Sequence, residues 1–272
     1  MKKRVAIICG GRSSEHEISC ISAGGVLGAI DRTRYEPVLI GITKSGKWVL
    51  IPEGHPMDIS GTTLPSVPES APAVVADVAG FTSGGKNLEI DIVFPLLHGP
   101  FGEDGTIQGL LEIADIAYVG SGVLASAVAM DKSFAKPIFA SQGIATAPGL
   151  VVRKSDWGNR SAEITKAVSA LGYPVFVKPA RGGSSRGTSK VKSEGDLLAA
   201  VLEAFTFDPK IMIESAIVGS EIECAVLEIE GQPQASIVGK IVIDSKFEFY
   251  DFEAKYLDGA TDIELPAPIT AT

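Results

Sequence analysis

The chain has 272 residues, 45% of them hydrophobic, enough to bury a large core and to form two domains or more. Its formal net charge of -9, with no lysine or arginine run set against it, excludes a nucleic-acid footprint and leaves anionic substrates to local clusters. Cys9, Cys20 and Cys224 lack C-x-x-C spacing and read as reduced thiols, not a disulfide frame or zinc site. The apolar run after MKKR stops at Gly10-Gly11, too early for a signal peptide, and no segment is long and apolar enough to span a membrane. These features predict a globular, cytoplasmic protein.

Residues 4–9, RVAIIC, read as a buried strand, and Gly10-Gly11 turns the chain into a helix with apolar spacing at Ile18, Ile21 and Leu27. A strand, a glycine turn and a helix open a Rossmann-like layer, but without G-x-G-x-x-G no dinucleotide is indicated. Glu15, near the helix start, is either an acidic residue favoured by the helix macrodipole or a catalytic group. Gly24-Gly25 predict close packing of that helix face against the sheet. EPVLIGI and KWVLI read as two strands about a Thr43–Gly46 turn. From Pro52 to Lys86 composition predicts mostly loop, with one strand near Ala73–Ala76.

Residues 90–99, IDIVFPLLHG, form another buried strand, followed by a dense loop, His98 to Thr106, and an amphipathic helix. A loop at the carboxyl end of a parallel strand lies where open α/β sheets bind ligands, so His98 and Glu103 are candidate substrate residues. AYVGSG closes the layer, and Gly120–Gly122 marks a first domain boundary. A helical stretch, 123–143, carries Lys132 and Lys136. Strand LVV, helix SAEITKAVSALG and strand PVFVK come next, then a helix behind a Ser193 cap and strand KIMIE.

Residues 175–191, VFVKPARGGSSRGTSKV, stand out within this unit as a strand, a glycine-rich hairpin and a strand. Glycines let backbone N–H groups converge on an anion, hydroxyls add donors and Lys178 supplies a point charge, so the loop suits a polyphosphate. It is not a Walker loop, since no G-K-[ST] opens a helix, and a flexible exposed hairpin is the plainer alternative. Beyond it, residues 215–243 read as strands of a second sheet. Glu214 and Glu221 flank a Gly219 turn, either as surface charges or as acceptors for a base and a sugar.

Five blocks in order together resemble the D-alanine:D-alanine ligases. They are Gly10-Gly11-x-Ser13-x-Glu15, His98-Gly99-x-x-Gly102-Glu103-Asp104-Gly105, Met130-Asp131-Lys132, Val177-Lys178-Pro179 with Gly183-Ser184-Ser185, and Phe249-Tyr250-Asp251 with Glu253-Ala254-Lys255-Tyr256. The resemblance implies an α/β ATP-grasp fold: a Rossmann-like substrate-binding domain over 1–120, a small α+β lid over 121–216, and a C-terminal sheet domain beginning at 217–272. It implies ATP as co-substrate, with Lys132, Lys178, Ser185 and Lys255 at its phosphates and Glu214 and Glu221 at adenine and ribose. The backbone of Ser215, Ala216 and Ile217 would form the hinge. Glu15, Ser184 and Tyr256 match the family's hydrogen-bonded trio at the D-alanine subsites, and His98 and Glu103 the loop lining the first. The implied reaction makes D-alanyl-D-alanine through a D-alanyl phosphate, for cell-wall precursor synthesis, in a homodimer. A D-lactate-using sister activity is the close alternative, disfavoured by Tyr256.

Two departures from the family pattern stand out. Arg186 replaces a small apolar residue and either adds a phosphate contact or disturbs the loop. The sequence ends at Thr272, before the family's terminal segment with its metal-binding Asp, Glu and Asn and its arginine. The expectation is therefore that the Mg2+ ligands lie beyond residue 272, that no residue here is a metal ligand, and that the C-terminal sheet is incomplete. A non-catalytic fragment is the alternative to an active ligase.

Overall fold

The computed structural model describes residues 2–59, 63–244, 248–250, 255 and 261–269. Its contacts fall into two compact units, Met1–Thr146 with Ala180–Gly183, and Ala147–Pro179 with Ser184–Thr272.

In the first unit β1 (Lys3–Gly10) is the centre of a sheet, because its side chains serve two cores in alternation. Ala6 and Ile8 face one cluster, while Val5, Ile7 and Cys9 face the other. This explains a continuous apolar run in place of an apolar/polar alternation. Burial of Ile7 and Ile8, both fully inaccessible, stabilises the fold by about 1.5–3 kcal/mol each. The helix α1 (His16–Ala29) covers the second face through Cys20 and Ala23. Next, β2 (Tyr35–Ile42) pairs parallel with β1, and β3 (Trp48–Leu50) turns back antiparallel through Gly46 at φ 90°.

In the stretch read mostly as loop the one expected strand is found as β4 (Val74–Asp77), and it pairs into a small antiparallel sheet with β5 (Gly80–Ser83) and β6 (Lys86–Asn87), which were not expected. It buries Val74 and Phe81 in the first core. Another parallel strand, β7 (Ile92–Pro95), completes the order β3-β2-β1-β7, and Tyr118 adds a single parallel bridge to Val93. Covering the first core, α2 (Thr106–Ile113) inserts Ile107 and Leu111.

Residues 123–143 are two helices, not one: α3 (Val123–Met130) and α4 (Lys132–Ser141). Asp131 breaks the run, because its carboxylate accepts from Ser133 N–H at 3.0 Å and caps the second helix. Gly24 and Gly25 also differ from expectation. A Cβ on Gly24 would lie 2.9 Å from the Met57 carbonyl, so the close approach is to the 52–59 segment and not to the sheet, while Gly25 faces open space.

The second unit opens with β8 (Gly149–Arg153) and α5 (Lys154–Leu171). This helix starts seven residues ahead of the expected Ser161 and is interrupted at Arg160. Then come β9 (Val175–Pro179), β10 (Ser189–Val191), α6 (Glu194–Phe207) and β11 (Lys210–Ser215), giving an antiparallel sheet of order β10-β9-β11-β8. Both helices cover one face, where Val175, Val177, Ile211 and Ile213 point inward. Period-2 alternation therefore puts Phe176, Lys178, Met212 and Glu214 on the other face. Ser193 occupies the N-cap of α6, but its hydroxyl bonds the Asp196 carboxylate at 2.8 Å, not a backbone N–H.

The last strands form two small sheets instead of one. A hairpin joins β13 (Val226–Ile229) and β14 (Gln232–Ala235), and β15 (Gly239–Ile243) lies between β12 (Glu221–Glu223) and β16 (Thr261–Glu264).

Candidate active site

Three loops meet around Glu15 in the first unit. The residue sits at the N-cap of α1 with only 3% of its surface accessible, and its carboxylate makes no capping bond. A Cβ on Gly99 would fall 2.5 Å from Glu15 Oε2, and one on Gly183 3.0 Å from it. Glycine at both positions, Gly99 with φ at 70°, is what lets the 98–105 loop and the 180–183 segment close on this carboxylate.

The 98–105 loop is held from within. Glu103 Oε2 accepts from Gly99 N–H at 2.7 Å, Asp104 accepts from Phe101 and Thr106 N–H, and Gln108 donates to the Gly102 carbonyl at 2.9 Å. Glu103 therefore shapes the loop. His98 is fixed by α1 and its approach: Ser13 Oγ donates to the His98 carbonyl at 2.8 Å, and Ser22 Oγ lies 2.9 Å from His98 Nε2. A crevice of about 350 Å³ opens beside them, lined by Gly10, Gly11, Ser13, Trp48, Leu97 and His98. It lies beyond the carboxyl ends of the parallel strands, where the chain crosses from β1 to neighbours on either side. The Arg12 guanidinium stacks 4.7 Å above the Phe101 ring at its rim.

Next to this cluster, α4 grips the start of the glycine-rich loop. Lys132 N–H donates to the Ala180 carbonyl at 3.1 Å, and Lys132 Nζ to the Gly182 carbonyl at 2.7 Å.

The rest of that loop belongs to the second unit. Ser184 and Ser185 adopt consecutive left-handed conformations, φ 49° and 56°, followed by Gly187 at 67°. They put the loop in a tight turn, and successive backbone N–H groups in a turn can cradle an anion. Ser185 Oγ itself donates to the Tyr250 carbonyl at 2.9 Å, so its hydroxyl fastens the loop to the 248–250 segment. The same segment is held by Glu248, paired to Lys190 at 3.2 Å and Lys192 at 2.7 Å, and by Phe249 edge-on to Phe176 at 5.4 Å. Lys255 Nζ stands 4.6 Å over the Tyr250 ring. Tyr256 lies outside the described residues.

On the sheet face away from the helices, Lys178 forms an ion pair with the buried Glu214. Met212 is opposite Lys178, so Glu214 is its diagonal neighbour on the same face. Ser215 and Ala216 donate their N–H groups to the carbonyls of Pro148 and Pro174, while Ile217 and Glu221 are exposed. Among the described residues, no group of three or more His, Cys, Asp or Glu is placed to hold a metal ion.

Sequence reasoning missed Ser22. Its one signal was helical spacing, seven residues from Glu15 and so on the same face.

A parallel α/β layer ending in a glycine-lined carboxylate, and an antiparallel sheet carrying a left-handed serine loop and a half-buried lysine paired to a buried glutamate, are the parts of an ATP-grasp ligase. Residues 4–121 match the family model described as D-ala D-ala ligase N-terminus, and residues 138–272 the D-ala D-ala ligase C-terminus. The chain is 47% identical over 282 residues to a D-alanine–D-alanine ligase of Kineococcus radiotolerans, covering 98% of this chain and 75% of that one. It is 49% identical to one of Paenarthrobacter aurescens, covering 98% and 74%. Among solved structures, the VanG D-Ala:D-Ser ligase of Enterococcus faecalis superposes with TM-score 0.80 at 34% identity, covering 100% of this chain and 78% of that one. D-alanyl-alanine synthetase A of Vibrio cholerae gives TM-score 0.80 at 29% identity, covering 99% and 76%. This chain belongs to the D-alanine–D-alanine ligase family.

Proposed function

We infer that this protein is an ATP-dependent ligase that joins two D-alanines into D-alanyl-D-alanine for peptidoglycan synthesis. The observation that carries the inference is 47–49% identity, over nearly the whole chain, to ligases of that name. The left-handed serine loop fits a polyphosphate, as this reading requires.

One D-alanine carboxylate oxygen attacks the γ-phosphorus of ATP, and ADP leaves. The amine of the second D-alanine then attacks the acyl carbon, and phosphate leaves with formation of the peptide bond. Lys132, Lys178 and Lys255 offset charge on the phosphates, with Ser185 holding the loop that covers them. Glu214 and Glu221 receive adenine and ribose at the Ser215–Ala216–Ile217 hinge. Glu15 with Ser184 and Tyr256 orients the D-alanines, and His98, on the loop shaped by Glu103, meets the first. Magnesium supplies charge neutralisation when ATP is bound, but no described residue is assigned to it and no step here runs through it. We further propose three domains, 1–120, 121–216 and 217–272, a homodimeric state and a cytoplasmic location; no helix among the described residues is long and apolar enough to cross a membrane.

The test is ADP release and product analysis by the purified protein with ATP, magnesium and D-alanine, run beside D-lactate. Dipeptide with one ADP per bond is expected, and Tyr256→Phe is expected to raise the D-lactate share without abolishing turnover. ADP release that does not depend on D-alanine would overturn the assignment.

A further inference from the structure

Ser22 lies in the second turn of α1 and has no role in the mechanism above. Its Oγ reaches His98 Nε2 at 2.9 Å, across 76 residues of sequence, while Ser13 Oγ holds the His98 carbonyl at 2.8 Å. The ring is thus held at one nitrogen and the main chain at its oxygen, leaving Nδ1 as the other ring nitrogen. A neutral imidazole has one N–H, and the partner of one nitrogen decides whether the other can donate. A carboxylate only accepts, so a neutral His98 that meets one must present a proton.

We propose that Ser22 is a positioning residue for His98: its hydroxyl donates to Nε2, orients the ring and places the proton on Nδ1, the nitrogen that meets a D-alanine carboxylate. This rests on the reading of His98 as a D-alanine residue. The competing arrangement is that of an ordinary helical serine, whose hydroxyl donates to the carbonyl one turn back. Ser22 Oγ would then accept from Nε2–H, and Nδ1 would be bare. The two arrangements differ in the position of one proton.

The chain has three histidines, so imidazole nitrogen resonances can be assigned by substitution. In the ligand-free protein, His98 is expected to carry its proton on Nδ1, Ser22→Thr to keep it there, and Ser22→Ala to release it. Titration with D-alanine beside a non-hydrolysable ATP analogue is expected to show binding weakened about tenfold in Ser22→Ala, the scale of one lost hydrogen bond. Ser22→Thr should retain affinity, and Ser22→Ala should add no further loss in a His98→Gln background. A proton on Nε2 in the wild-type protein, or an unchanged tautomer in Ser22→Ala, overturns the proposal. If His98→Gln binds D-alanine normally, the reading of His98 fails instead, and the ligand-free tautomer still decides what Ser22 does.

Discussion

At Lys178 two demands meet on one ammonium. Its partner Glu214 is buried, with 8% of the side chain accessible against 25% for the lysine, so the pair screens poorly and each member depends on the other. In the proposed reaction, phosphates held at the loop would share that ammonium. Lys178→Ala is expected to weaken ATP binding more than Ser184→Ala, because charge-assisted contacts are about twice as strong as neutral ones. Nucleotide titration of both variants checks this, and equal losses would refute the charge argument. The same substitution removes one cation from beside Glu214, which should lower stability in denaturant melts. Adding Glu214→Gln should restore part of that, since an amide is less costly to bury than a carboxylate.

Between elements, a second ion pair ties α1 to the β2–β3 turn: Glu17 in the first helical turn meets Lys44. Burial works to raise the Glu17 carboxyl, but the Lys44 ammonium, together with Glu17's own backbone N–H and the nearby His16, offsets it and leaves it lowered. A depressed folded value means the stabilisation is fully present above the unfolded value of about 4.3 and is lost as pH falls through the lower folded one. Lys44 is mostly exposed, so the effect should not exceed about 1 kcal/mol. Glu17→Gln should therefore melt slightly earlier than wild type at pH 7, with the gap closing on acidification below pH 4. A gap that persists at pH 2 would show that the pair is not its cause.

Elements with a clear period were legible in the sequence: β1, β2, β7, α2, β9 and β11 fall where apolar runs or stripes put them. Of the β4–β6 sheet only β4 was, near Ala73–Ala76, because strands of two to four residues interrupted by glycines give no period to read. The break at Asp131 was hidden inside an otherwise helical run, since a capping aspartate differs from a helical one in its backbone conformation and hydrogen bonds, neither of which the sequence shows. At the site, Glu15 and His98 could be picked out as polar residues just after buried strands. Their partners could not. Ser22 meets His98, and Glu214 meets Lys178, only through strand register and helix rotation over long sequence separations.

Over the molecule as a whole, burial is uneven. Ile7, Ile8, Val175, Val177, Ile211 and Ile213 are fully inaccessible, whereas every residue of β13 and β14 is exposed. Local opening costs least where few apolar contacts break, so amide exchange at neutral pH should be slowest in β1, β9 and β11 and fastest in the β13–β14 hairpin. Comparable protection in that hairpin and in β1 would contradict this ranking. The unit built on β1 is also discontinuous: it needs Ala180–Gly183 as well as Met1–Thr146. During synthesis the ribosome delivers chain from amino to carboxyl end, and domains generally fold as they emerge. The nascent Rossmann-like layer can collapse early, but the segment that brings Gly183 to Glu15 emerges only after β8, α5 and β9. The cradle around that carboxylate is therefore finished late, by a visit from a chain already committed to folding elsewhere.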